Sequence, residues 1–203
     1  MISANAMDCR IQLTLKEDSR LFFLLNGVFR QGVQMEILAG SSIRQVIVEQ
    51  LGIAEDYLEN RVQTLFLNGK PVDDVDAMKV SDGSVLALSA AMPGLAGATL
   101  RKGGKYAAFR QQISLGSDSP VPVLRKGRMI LKLFNQVTEE QGPVVLTKGI
   151  GMSGGDFLDV IRKAQDQSLM QEILKAEVNG KAIAPEMLDP EISGKTAVFL
   201  SIR

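Results

Sequence analysis

Apolar and polar residues alternate near the start of the chain, with Ile11, Leu13 and Leu15 set against Gln12, Thr14 and Lys16. A period of two marks a strand with one buried face. Val33, Met35 and Ile37 alternate in the same way and predict a second strand. Between them, Arg20 to Gly32 is apolar without a clear period, so short helix and hairpin extension both stay open. After Gly40-Ser41-Ser42 the period becomes helical, at Ile43, Val46, Ile47 and Leu51, with Gly52 as the stop. Val62 to Leu67 reads as a third strand and Asn68-Gly69 as a hairpin turn, because both central positions of that turn need positive φ. Pro71-Val72 starts a short return strand, and Val85 to Ser89 closes the first half.

The second half repeats this order. Met129 to Phe134 and Pro143 to Thr147 read as two strands of a hairpin, with Glu139-Glu140-Gln141-Gly142 at the turn. Ser153 caps a predicted helix carrying Phe157, Val160 and Ile161. A further helical stretch, Ser168 to Leu174, is expected to run into a strand ending at Val178. Asn179-Gly180 then repeats the earlier turn, and Thr196 to Ile202 closes the unit. Two runs of strand, strand, helix, strand, short strand and strand predict an α+β layout, each helix packed on one sheet face.

The predicted organisation is a leader at 1–9, a first domain at 10–92, an apolar then basic linker at 93–127 and a second domain at 128–203. Each half is expected to be large enough, though only marginally, to fold alone. Thr99 to Arg128 carries seven basic residues (Arg101, Lys102, Lys105, Arg110, Arg125, Lys126 and Arg128) against Asp118 alone. The whole chain is neutral, with 23 basic and 23 acidic residues, so the remainder is correspondingly acidic.

This order with its Asn-Gly-Lys turns resembles the β-grasp, or ubiquitin-like, fold, here as two tandem domains joined by a basic linker. The first half is most similar to the sulfur-carrier proteins of molybdopterin and thiamine synthesis. The comparison rests on Val62 to Lys70 and on the closing stretch Ser81 to Ala98. In those carriers a similar segment ends in a C-terminal Gly-Gly whose carboxylate is activated. Here Gly97 is followed by Ala98, Gly103-Gly104 lies further on, and the chain continues to Arg203. The resemblance therefore implies the fold, and carrier chemistry only after trimming at Gly97 or Gly104. Tandem ubiquitin-like modifiers are similar in the same way.

Composition narrows the chemistry. The chain has no histidine and one cysteine, Cys9. A Ser-His-Asp or Cys-His catalytic unit, an internal disulfide, a cysteine-rich zinc site and an iron–sulfur cluster are all excluded. Cys9 has Arg10 beside it but no base, and reads as a structural thiol. Asp73-Asp74-Val75-Asp76 offers carboxylates but lacks the spacing of a calcium loop, and no metal or cofactor is expected. Met1 to Met7 has no basic region followed by an apolar core and reads as an unstructured leader. Gly83 to Leu100 is uncharged but contains Pro93, and no membrane span is predicted. The cysteine usage suits a reducing cytoplasm.

Two stretches remain as candidate sites. Met92, Pro93, Gly94, Leu95 and Gly97, followed by Arg101, Lys102, Gly103, Gly104, Lys105, Tyr106, Phe109 and Arg110, form an apolar and then basic segment suited to contact with another protein. An acidic protein face ranks above nucleic acid as its partner, since the aromatics are few. Gly149, Gly151, Ser153, Gly154 and Gly155 form a glycine-rich strand-to-helix turn, which is either structural or a phosphate loop. The reading favoured is a non-enzymatic adaptor or accessory subunit. The alternatives are a carrier or modifier released by proteolysis and a small-ligand module that takes a phosphate-containing molecule.

Overall fold

The computed structural model describes residues 9–90 and 124–203. Strand β1 is Cys9–Leu15, with Cys9, Ile11, Leu13 and Leu15 buried as the alternation predicts. The aperiodic stretch forms two short helices, α1 (Leu21–Leu24) and α2 (Asn26–Gln31). Gly32, at φ 118°, then turns the chain into β2 (Val33–Ala39). Ser42 begins α3 (Ile43–Gln45) through a reciprocal capping box with Gln45, and the helix widens into a π-turn at Val46–Gln50. Helix α4 (Glu55–Asn60) and strands β3 (Thr64–Leu67), β4 (Lys70–Pro71) and β5 (Val85–Ser89) complete the first half. Asn68 and Gly69 take φ of 52° and 78°, as their turn requires.

The second half holds β6 (Arg125–Phe134), α5 (Gln136–Lys148), β7 (Ile150–Ser153) and α6 (Gly154–Asp166). It continues through β8 (Ile173–Val178), β9 (Lys181–Ile183), α7 (Leu188–Ile192) and β10 (Ala197–Ile202). Two sequence readings are corrected here. The expected hairpin with its turn at Glu139 to Gly142 is instead the helix α5, which carries Pro143 in its interior. Asn135, at φ 55°, reverses the chain at its start, and Val137, Val145 and Leu146 anchor it in the core. The expected helix from Ser168 is only a single 3-10 turn, Met170–Glu172, after which β8 begins.

All ten strands join in one mixed sheet, in the order β4-β3-β5-β6-β2-β7-β10-β1-β8-β9. The first strand of each half does not pair with the second. β1 lies between β10 (parallel) and β8 (antiparallel), deep in the second half. β6 lies between β5 (parallel) and β2 (antiparallel), inside the first. Each half thus gives its opening strand to the other. Helices α1, α2 and α5 stand where tight turns would otherwise be, and carry the chain from each lent strand back to its own half. At the centre the halves meet through a single register pair, Gln34 with Gly151.

The buried positions of the strands and the inner sides of the helices form one continuous core cluster. The opposite sheet face is half exposed. One row of register partners crosses it: Val85, Ile130, Gln34, Gly151, Phe199 and Arg10. At its end the Arg10 guanidinium sits 5.0 Å from the Phe199 ring centroid. Among the described residues no helix is long and apolar enough to cross a membrane.

Candidate functional site

Where the two connecting helices meet, α1 and α2 form one wall of a groove and α5 the other. Phe22, Phe23 and Phe29 line the first wall, and Thr138, Glu139, Gly142, Pro143 and Leu146 the second. The groove encloses about 340 Å³, within the range of small-ligand and side-chain pockets. Phe29 is fully buried at its base, whereas Phe23 is 61% exposed at its edge. Gly142 permits the close wall-to-wall approach, since a Cβ there would meet the Phe29 ring at 3.3 Å.

The groove has polar features that its own walls leave unused. Thr138 is only 2% exposed, yet its hydroxyl has no hydrogen-bond partner among the described residues. A buried polar group without a partner costs roughly 1–3 kcal/mol. One turn on, Pro143 has no N–H to give to the Glu139 carbonyl, so the i→i−4 bond is missing from the ladder there. Asp18 and Glu139 bring two carboxylates to the lining, and among the described residues no Lys or Arg lines it.

Both walls are fixed by charged hydrogen bonds. Ser19 Oγ and the Arg20 backbone N–H each donate to Glu172 Oε2 at 2.8 Å, which ties the start of α1 to the strand β8 region. The Ser19 hydroxyl foremost, and then Arg20, hold the Glu172 carboxyl below the usual glutamate range against partial desolvation. Behind α5, Tyr57 donates to Glu140 at 2.7 Å and Arg61 donates to the same carboxylate. These two donors, Tyr57 first, push the Glu140 carboxyl down. Burial and the bond to Glu140 push the Tyr57 phenol well above the ordinary tyrosine range.

The sequence candidates fall elsewhere. The interaction segment from Met92 to Arg110, including Gly97 and Gly104, lies outside the described residues. The glycine-rich turn is packed by the protein's own groups. Gly149, at φ 87°, ends α5 against the Phe199 ring, and Gly151 sits in β7 between β2 and β10. Ser153 caps α6 by accepting from the Asp156 N–H at 3.0 Å, and its own hydroxyl donates to the Asp156 carboxylate at 2.6 Å. Gly154 donates its N–H to the Thr196 carbonyl, and a Cβ there would collide with the Lys195 carbonyl. Gly155 has only Ser153 Oγ near its Cβ position, at 3.8 Å. The Asp156 and Gly154 amides at this helix start thus already serve an internal hydroxyl and an internal carbonyl.

The remaining sequence features also have internal roles. Asp74 Oδ1 accepts from the Asp76 and Ala77 N–H groups, and Asp76 binds Arg44 through both oxygens. Arg44 also reaches Glu55 and Glu59, joining the π-turned helix, α4 and this loop. Among the described residues no group of three or more acidic or cysteine side chains is placed to hold a metal. Cys9 is buried in β1.

The groove residues were not legible in advance. Gly142 and Pro143 read as turn and strand start, which hid the wall that they build. The one available signal was the pair Phe22-Phe23, an aromatic doublet in a stretch with no strand or helix period to bury both. No protein-family model, curated protein or solved structure matches the chain.

Proposed function

We propose that the chain is a non-enzymatic binding protein of β-grasp type, an adaptor or accessory subunit that works through protein–protein contacts. The observation that carries this reading is the groove between α1–α2 and α5, with Phe23 held 61% exposed beside an unpartnered buried hydroxyl. Aromatic side chains that seat against pockets recur among the anchors of protein contact sites. The strand, helix, hairpin and strand run from Val33 to Ser89 supports the β-grasp assignment, with β6 completing its sheet. The groove's walls are the two helical connections, so a partner seated there would touch both halves at once.

The test is affinity capture from the native cell with the intact chain and with Phe23→Asp. Phe23 is exposed, so the substitution is expected to leave the fold intact, as circular dichroism would verify. Loss of specific partners with the variant supports the reading. An unchanged partner set places the contact site elsewhere.

A further inference from the structure

We infer that the groove takes a partner segment that presents an apolar or aromatic side chain next to a lysine or arginine. The inference rests on the binding role proposed above and names the chemistry of the partner.

Three features of the lining point the same way. Phe22, Phe23 and Phe29 give an apolar wall, and an aromatic ring as exposed as that of Phe23 also attracts cations. Asp18 and Glu139 supply negative charge, and among the described residues no lining cation neutralises it. The hydrogen-bonding capacity left open is that of Thr138 Oγ1, which can accept an N–H as well as donate. A partner that brings N–H donors, a positive charge and an apolar body satisfies all three. An anionic segment would meet two carboxylates, and a purely apolar one would leave them without a counter-charge. The carboxylate of Glu140, one residue along, is already taken by Tyr57 and Arg61, so it adds no competing demand.

The experiment uses the full chain, labelled with 15N, and two blocked heptapeptides of equal apolar content. One has phenylalanine flanked by lysines, and the other has it flanked by glutamates. Amide shifts at Phe23, Thr138 and Gly142 are followed at low salt. The lysine peptide is expected to move these amides and to bind about ten-fold more tightly, since each exposed charge pair at the rim adds a few-fold. The preference is expected to shrink several-fold in Asp18→Asn with Glu139→Gln. Asn is the replacement of choice at position 18, because Asp18 has φ 57°, which Asn tolerates.

Equal binding of both peptides at the groove, with captured partners still lost in Phe23→Asp, overturns the charge inference and leaves the contact site standing. No shift at these amides with either peptide, together with unchanged capture by Phe23→Asp, overturns both. Self-association of the purified chain that Phe23→Asp abolishes would place a second copy in the groove and overturn the inference as well.

Discussion

Phe29 occupies the space that a side chain at Gly142 would need, and a Cβ there would lie 3.3 Å from its Cε2. This contact sets the width of the groove. Gly142→Leu is expected to fill it and to displace the Phe29 ring. Overpacking of this kind costs about 1–3 kcal/mol, so a lower thermal midpoint and loss of partner capture should appear together. A variant that keeps its partners would show that the groove is not their seat.

The elements with a clear period were legible in the sequence. The β1 and β2 alternation, the capped helices after Ser42 and Ser153, and both Asn-Gly turns are where their residues place them. The α+β class follows from the same signals. Helix α5 was not legible, because Gly142, Pro143 and the branched run Val144-Val145 favour a strand locally. Burial of Val137, Val145 and Leu146 outweighs that preference. The lending of β1 and β6 had no local signal at all, since alternation says which face of a strand is buried and nothing about its neighbours. The groove depends on both features, and so stayed hidden with them.

Gly149 combines a left-handed backbone, φ 87°, with the Phe199 ring in the place of its missing side chain. Gly149→Ala is expected to destabilise by about 2–3 kcal/mol from strain and clash combined. Adding Phe199→Ala should relieve the clash and leave the backbone cost. A double-mutant cycle by denaturant unfolding reads the coupling, and strict additivity would sink this account.

Glu172 is ionised and hydrogen-bonded where it holds α1 in place, and its pKa is lowered on folding. Such a carboxylate adds stability above its unfolded pKa of about 4.3, and that contribution is lost as pH falls through the lower folded value. Glu172→Gln is expected to be less stable than the native chain at pH 7, by the order of 1 kcal/mol. The gap should close once pH drops below the ordinary glutamate range. Urea midpoints measured across pH 2–7 check this, and a constant gap would refute it.

The chain has two tyrosines, Tyr57 and Tyr106. Burial and the bond to Glu140 raise the Tyr57 phenol. Alkaline titration at 295 nm should show phenolate absorbance that appears only above the usual tyrosine range and is missing in Tyr57→Phe. The same absorbance should shift downward in Glu140→Gln. An unshifted titration in that variant would mean that the bond to Glu140 does not hold the phenol.

Fragments 1–110 and 111–203 test the exchange of strands. The second lacks β1, which separates β10 from β8, and the first lacks β6, which separates β5 from β2. Neither is expected to give dispersed amide spectra alone, and the two mixed are expected to reassociate. A folded spectrum from 111–203 by itself would contradict the continuous sheet.

The lending of β1 also sets an order of events at the ribosome. Gln12 faces Ser201 across the sheet, 189 residues later in the chain. Strand β1 therefore has no native neighbour until β8 has been made, and lacks its second until β10 follows. Its apolar face, Cys9, Ile11, Leu13 and Leu15, lacks its flanking strands until then. Pairings this distant form slowly, and the nascent chain exposes a sticky strand for that whole interval. Ordering of β1 is thus tied to residues 173–202, and a chain that presents them late leaves that strand open to aggregation until then.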